Sequence, residues 1–473
     1  MKDRNILIYF VPAVTLIVSW LVVLAVRQVS LITFEGMSFA SGMYLFIFFL
    51  SFLFGTLIGP LLWANTTNID QLNYTAKSIN SSANWLLFFS LIAILLLVIK
   101  FLSFIGDLSF SLADITEMRL SRGRDPGEEK AGSFAGVLGL GMSGFPVIAY
   151  IYKDHFSEEL SAKKSKQLHL VFWIGIFVSF LSGGRFAAMI SILIVGISHL
   201  IKIYIVEDRH HRTKVAEKLI NRSSVVINTR KKKSFFQKII MYFLYGSVLY
   251  IFSMIFINRA IGDEDNLKIL LNVLSHNLGG ISLPYDHKEF LLEHPIYIPL
   301  YFIISLFQYY IGHAMYQFDI LFSAPYPDSA PYFLTYQFYP QVTLLNKMGM
   351  GFMTIYEILG DIENPGVYFT LAGAYILDFG YVGGCVAIFV TALVGSRYWV
   401  RLVRIRSFFD VFASLLFLVL IVFSPIVAIT GTGVFPSLFS IAFILKLLLP
   451  KAKKTPPMPI NLSLKDSKGI YYP

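Results

Sequence analysis

Long apolar stretches recur along the whole chain and constrain its fold more than any other feature. A helix needs about 20 mostly apolar residues to cross roughly 30 Å of hydrocarbon. Ten candidate stretches lie at residues 6–26, 38–62, 85–105, 134–152, 169–182, 186–206, 239–258, 367–395, 408–429 and 434–449, the fifth of them short. A mean hydropathy of +0.66 with only 14% charged residues excludes a water-soluble domain. The sequence therefore predicts a single all-α integral membrane domain over residues 1–473, with about ten transmembrane helices.

The basic residues sort to one side of these spans. If the amino terminus is cytoplasmic, 26 of the 39 Lys and Arg residues fall on the cytoplasmic side and 10 on the external side. Positive charge is enriched in cytoplasmic loops, so we expect both termini in the cytoplasm. The same orientation predicts a basic cytoplasmic loop at 207–238 and a cytoplasmic tail at 451–473. The net charge of +10 then points to topology and anionic lipid, not to nucleic acid.

The stretch at 298–322 is ambiguous because it mixes apolar residues with Gln308, His313, Gln317 and Asp319. A full crossing here would invert the orientation of every later span and place the basic residues after 395 outside. We therefore predict a re-entrant or interfacial helix within one external loop at 259–366. The loop is rich in aromatic residues and prolines, which indicates a folded loop that carries function.

Two arginines are predicted at the external membrane surface. Arg185 follows Ser182-Gly183-Gly184 at a turn between two spans, and Arg259 ends the seventh span. Guanidinium groups bind phosphate in a bidentate manner, so the pair could clamp a diphosphate. The alternative for Arg185 is a simple interfacial cap of the helical hairpin.

Three acidic or imidazole groups are catalytic candidates. Asp378 lies inside the eighth span, where a carboxylate is costly unless it is paired or hydrated. Its alternative role is to hold helices together through an arginine or the backbone. His313 and Asp319 are titratable groups that could serve as a general base, although each alone is also compatible with a structural role.

The motifs of soluble enzymes are missing from the sequence. There is no phosphate-binding glycine-rich loop with lysine, no His-Glu-x-x-His and no nucleophile elbow. The single cysteine, Cys385, excludes an internal disulfide and a cysteine-based metal site. We expect neither a metal nor another cofactor.

Three segments together resemble a known family. They are Ser182-Gly183-Gly184-Arg185, the run YYIGHAMYQFD at 309–319 and the run AYILDFGYVGG at 374–384. With the span layout of nearly the whole chain, they look like the Wzy-type oligosaccharide repeat-unit polymerases, which include the O-antigen polymerases. The resemblance implies a GT-C-like fold in the bacterial inner membrane. It also implies that the protein joins undecaprenyl-diphosphate-linked oligosaccharides without metal or nucleotide sugar, in the company of a chain-length regulator and a flippase.

The resemblance suggests a role for each candidate residue. Arg185 and Arg259 would stabilise the departing diphosphate, and His313 or Asp319 would activate the acceptor hydroxyl. Tyr309 and Tyr336 would stack on sugar rings, and Asp378 is a third catalytic candidate. Two alternatives remain open: an O-antigen ligase, which transfers a finished chain, and a polysaccharide flippase or other transporter.

Overall fold

Four helices of the computed structural model are long and apolar enough to cross a membrane, so the chain is a mostly helical, membrane-embedded protein. They are Leu7–Arg27, Phe39–Trp63, Ala76–Leu102 and Leu371–Arg404. The structure describes residues 7–29, 31–63, 71–105, 134–181, 185–202, 281–294, 297–324, 335–352, 370–405, 407–431, 434–449 and 453–455. The basic loop at 207–238, the predicted span at 239–258 and Arg259 lie outside these residues.

Thirteen α-helices are defined within the described residues. They are α1 Val11–Arg27, α2 Phe39–Trp63, α3 Ala76–Ile105, α4 Phe134–Met142, α5 Phe145–His155, α6 Ala162–Leu181, α7 Arg185–Ile201, α8 Tyr285–Glu293, α9 Ile298–Ser323, α10 Tyr339–Lys347, α11 Leu371–Arg404, α12 Phe408–Phe423 and α13 Phe435–Leu448. Short 3-10 turns occupy Leu7–Phe10 and Ile429–Gly431. Two antiparallel strand pairs join β1 Thr33–Phe34 to β3 Ile281–Ser282, and β2 Gln71–Asn73 to β4 Lys453–Thr455.

The predicted spans that fall in described residues correspond to helices, but several bounds differ. The helix α3 begins nine residues before the predicted start at 85, α11 ends nine residues after the predicted end at 395, and α12 ends six residues before the predicted end at 429. The short fifth stretch belongs to α6, which begins seven residues earlier because lysines and a serine extend the helix beyond its apolar part. The stretch at 134–152 divides into α4 and α5 around Ser143 and Gly144. The Gly144 N–H donates to Ser437 Oγ at 2.8 Å, and a Cβ at Gly144 would lie 3.0 Å from the Leu438 nitrogen. A close approach of α13 therefore accompanies this break.

Small residues bring α2 and α11 into close contact. A Cβ added at Gly55 would lie 2.5 Å from Ala392 Cβ, and one at Gly59 would lie 2.3 Å from Ser396 Cβ. Lipid is as apolar as a leucine side chain, so helices in a membrane associate through such close van der Waals packing. These glycines let the two backbones approach to a distance that any side chain would prevent.

The helix α11 is bent sharply at Gly380. This glycine has φ 73° and ψ 178°, a conformation open almost only to glycine. Tyr375 Oη and Thr391 Oγ1, which lie 16 residues apart, are within 3.0 Å, whereas a straight helix would separate those positions by about 24 Å along its axis. The arm before Gly380 therefore folds back beside the arm after it, and its first N–H, that of Leu371, donates to Ser424 O at 2.9 Å.

Segments that the charge pattern assigns to one side of the membrane meet in the structure. Trp399 Nε1 donates to Ile8 O at 2.8 Å, and Arg401 pairs with the buried Asp410 at 2.8 Å. The pairing of β2 with β4 joins the chain before α3 to the described part of the tail. At the other end of α1, β1 pairs with β3, which precedes α8.

Candidate functional site

The helix α9 lies against the connection between α1 and α2, here called the α1–α2 corner and defined as residues 26–41. Gln308 forms the densest set of contacts there: its Oε1 accepts the Ile32 N–H at 3.1 Å, and its Nε2 donates to Val26 O, Val29 O and Ile32 O at 2.6 to 3.1 Å. Although α9 has 26 residues, it is not among the four helices apolar enough to span. The predicted helix at 298–322 thus exists with nearly the predicted bounds, and its residue Gln308 binds the corner.

Asp319 caps the beginning of α2. Its Oδ1 accepts hydrogen bonds from the Ser38 N–H at 3.1 Å, from Ser38 Oγ at 2.7 Å and from Ser41 Oγ. An anion near the amino end of a helix also interacts favourably with the helix dipole. Three donors on one carboxylate oxygen indicate that Asp319 fixes α9 to α2, and they favour the structural alternative over the general base.

His313 has a different environment. Its ring stacks on Tyr309 with centroids 4.4 Å apart and an interplanar angle of 29°, so the structure brings these two predicted site residues together. Only 7% of His313 is exposed, and its Nδ1 has no hydrogen-bond partner among the described residues. Burial, reinforced by the nearby positive charge of Arg27, lowers the pKa of His313 to about 4. His313 is therefore a neutral imidazole at neutral pH, and its Nδ1 makes no hydrogen bond to the described residues.

Arg27 is the cation of this corner, and the sequence analysis did not single it out. Its Nη1 donates to Gly312 O at 3.0 Å and its Nη2 to Glu35 O at 3.2 Å, while the guanidinium lies 4.9 Å from the centre of the Phe34 ring. A guanidinium has five N–H donors, so three remain after these two bonds. The signal was available, because the charge pattern predicts Arg27 at the external end of the first span, the kind of position for which Arg259 was selected.

The corner thus brings the charge of the Arg27 guanidinium close enough to the neutral His313 imidazole to contribute to its lowered pKa. Gly312, which accepts from Arg27, directly precedes His313 in α9. Tyr316 lies on the same side of the helix, and burial together with the charge of Glu35 raises the pKa of its hydroxyl. We refer to Arg27, Tyr309, His313 and Tyr316 as the external cluster, after the side of the membrane that the charge pattern predicts for them. Arg27 can bind an anion there, and His313 Nδ1 is a neutral proton acceptor that is buried in this structure, so a substrate hydroxyl reaches it only if the surrounding side chains move.

Asp378 and Tyr336, two further predicted site residues, are also in contact with each other. Asp378 Oδ1 accepts the Tyr336 N–H at 2.9 Å, and its Oδ2 accepts the Gln337 N–H at 3.1 Å. Asp378 is fully buried and Tyr336 is 6% exposed. This arrangement supports the structural alternative for Asp378, and the buried Tyr336 has little ring surface left on which a sugar could stack.

The remaining predictions concern the arginine clamp and metal binding. Arg185 is the first residue of α7, but the described part of the structure does not include its side chain, and Arg259 is not described at all. The clamp therefore stays a prediction. Among the described residues, no group of three or more His, Cys, Asp or Glu side chains is placed to hold a metal ion.

Comparisons with known proteins do not assign a family. No protein-family model, no curated protein and no solved structure matches the chain.

Proposed function

We propose that this protein is a membrane glycosyltransferase that polymerises undecaprenyl-diphosphate-linked oligosaccharide repeat units on the outer side of a bacterial inner membrane. The observation that supports the proposal is the hydrogen bond from Arg27 to the Gly312 carbonyl oxygen, directly before His313, whose pKa is lowered by burial and by the charge of Arg27. Transfer from a lipid diphosphate needs positive charge for the leaving group and a proton acceptor for the attacking hydroxyl. The external cluster supplies both groups at one place.

The proposed reaction has one bond-forming and one bond-breaking event. The acceptor hydroxyl attacks the anomeric carbon of the donor sugar, the bond from that carbon to the diphosphate oxygen breaks, and the diphosphate leaves against Arg27. The hydroxyl proton passes to His313. The negative diphosphate offsets the charge of Arg27, so donor binding raises the pKa of His313 from its low value and makes it a better base during the reaction.

The architecture that accompanies this proposal has about ten spans, a GT-C-like arrangement and both termini in the cytoplasm. In that orientation α9 and the α1–α2 corner face the outer side, within reach of a donor whose lipid tail lies in the bilayer. Arg185 and Arg259 would add positive charge at the same surface. A chain-length regulator and a flippase are the proposed partners.

Reconstitution tests this function directly. The full chain in liposomes is supplied with lipid-linked repeat units isolated from cells that lack the protein, and we expect a ladder of products spaced by one repeat unit, with release of undecaprenyl diphosphate. Arg27→Ala and His313→Gln should each lower the rate by roughly 100-fold, a typical loss for one charge-stabilising or proton-transferring group. Lys347→Ala, which removes another cation assigned to the external side, is the matched control and should retain the rate.

The same assay separates the alternatives. Transfer of a preformed chain to a second lipid acceptor, without a ladder, would identify a ligase. Movement of lipid-linked units across the membrane without any transfer would identify a transporter. Wild-type activity with an unchanged rate in both Arg27→Ala and His313→Gln would remove the external cluster from the reaction.

A further inference from the structure

Two glutamines of α9 are equally buried but differ in their hydrogen bonds. Gln308 is 2% exposed and Gln317 is 5% exposed. Gln308 uses both atoms of its side-chain amide in four hydrogen bonds to the α1–α2 corner. Gln317 Oε1 is buried and has no hydrogen-bond partner among the described residues. Gln308 therefore holds the fold together, whereas no contact among the described residues accounts for the Gln317 carbonyl oxygen.

His313 Nδ1 has the same property and lies close by on the helix. It is buried and has no hydrogen-bond partner among the described residues. The helix α9 is continuous from Ile298 to Ser323, so His313 and Gln317, four residues apart, share one face with Cβ atoms about 6 Å apart. Two unsatisfied polar atoms therefore belong to neighbouring side chains of α9.

Such atoms lower the stability of a folded protein. A buried polar atom without a partner has lost its hydrogen bonds to water and gained none in return. Most buried polar atoms in native proteins are therefore bonded, and an exception marks a functional group or a place where a ligand or a water molecule binds. Two exceptions on one face of α9, one of them on the proposed base, indicate a site that a bound group completes.

The two atoms determine what that group must supply. Gln317 Oε1 only accepts hydrogen bonds, and His313 Nδ1 also accepts in the tautomer that carries its proton on Nε2. The ligand must therefore bring two donors. Ammonium groups would be repelled by Arg27, whose positive charge acts on His313. Hydroxyl groups are uncharged donors, and a sugar ring carries several of them in fixed positions.

We propose that His313 Nδ1 and Gln317 Oε1 together form the subsite for the acceptor sugar. The reacting hydroxyl donates to His313 Nδ1, and a second hydroxyl of the same sugar donates to Gln317 Oε1. This inference rests on the proposed function for the identity of the reaction. Gln317 takes no proton, so it is a specificity-determining residue that selects and orients the acceptor. The surrounding side chains must move for the sugar to enter.

Binding is tested with the full chain in nanodiscs, titrated calorimetrically with free oligosaccharide released from lipid-linked repeat units by mild acid. Gln317→Met nearly keeps the size of the side chain but removes its oxygen. It should weaken oligosaccharide binding roughly tenfold, the effect of one hydrogen bond. In the polymerisation assay it should raise the apparent KM for lipid-linked units by a similar factor, with little change in kcat.

Gln308→Met is the matched control, because it changes the same residue type at the same burial in the same helix. It removes partners from Val26 O, Val29 O and both backbone groups of Ile32, so it should lower Tm by several degrees. The folded Gln308→Met protein should bind the oligosaccharide with wild-type affinity. Gln317→Met should not lower Tm, because it removes an atom that has no partner.

Three results would overturn the inference. They are no binding of the oligosaccharide by the wild type, equal affinity of Gln317→Met and wild type, which would leave a buried water as the only occupant, and a fall in Tm of Gln317→Met as large as that of Gln308→Met. The polymerisation assay keeps the two proposals separate. A ladder with an unchanged KM in Gln317→Met refutes only the subsite, whereas oligosaccharide binding that depends on Gln317 without any ladder refutes only the polymerase.

Discussion

Asp378 and Tyr336 are joined by a hydrogen bond of 2.9 Å from the backbone N–H of Tyr336 to the Asp378 carboxylate. The neighbouring N–H of Gln337 donates to the other carboxylate oxygen at 3.1 Å. A carboxylate in the arm of α11 that folds back is therefore satisfied by two peptide groups from the segment that leads into α10. This contact explains how a charged side chain is tolerated at a fully buried position.

Replacement of Asp378 should release that segment. Asp378→Asn keeps the shape but turns an N–H donor toward one of the two peptide N–H groups, which should cost about 1.5–3 kcal/mol of stability. We expect a lower apparent Tm in detergent and faster proteolysis within residues 335–352. The comparison variant is Thr370→Val, which removes a buried hydroxyl that has no partner among the described residues and should not destabilise. Equal stability of Asp378→Asn and wild type would contradict the role assigned to the two bonds.

Close packing of α2 on α11 gives a prediction with a control in the same helix. Gly55→Ala places a methyl group 2.5 Å from Ala392 Cβ and 2.7 Å from Phe389 O, so the helices must separate and Tm should fall. Gly42→Ala, also in α2, meets nothing within 4 Å and should be neutral or stabilising by up to about 1 kcal/mol, because alanine favours helix. Equal Tm values for Gly55→Ala and Gly42→Ala would show that α2 and α11 do not pack in this way.

The environment of His313 predicts a pH dependence of stability. Its pKa is lowered to about 4 in the folded protein, first by burial and then by Arg27. The folded protein therefore binds this proton less readily than the unfolded chain, so the stabilising contribution is complete above about pH 6.5 and declines as the pH falls toward 4. The apparent Tm of the wild type should decrease between pH 7 and pH 5, and the apparent Tm of His313→Gln should decrease less over the same range. The exposed His294→Gln should follow wild type, and an unchanged slope in His313→Gln would refute the assignment.

The sequence predicted the helices better than their interruptions. The bounds of α2, α9 and α13 lie within about two residues of the predictions, because runs of apolar residues end where polar residues begin. Hydropathy did not predict the reversal in α11, since Leu371–Arg404 as a whole is long and apolar enough to be one crossing helix. The positive φ of Gly380 and the contact between Tyr375 and Thr391 are properties of the folded chain.

The candidate site was predicted only in part. Charged or titratable residues in apolar surroundings drew attention to His313, Asp319 and Asp378, because such groups are costly to bury without a purpose. The structure shows that their environments differ. Three donors bind one oxygen of Asp319, and two peptide N–H groups bind Asp378. His313 Nδ1 has no hydrogen-bond partner among the described residues. No spacing rule links Arg27 to a residue 285 positions later.

The sequence by itself determined that this chain enters a membrane, because the transfer free energy of an apolar segment depends on its own residues and little on its neighbours. Only the tertiary structure decided which polar groups meet. Hydrogen bonds and charge interactions act over a few ångströms, so their partners are set by how α9, α11 and the α1–α2 corner pack and not by position along the chain. The hydrogen bond from Arg27 to Gly312 O and the stacking of Phe290 on Tyr297 are of this second kind.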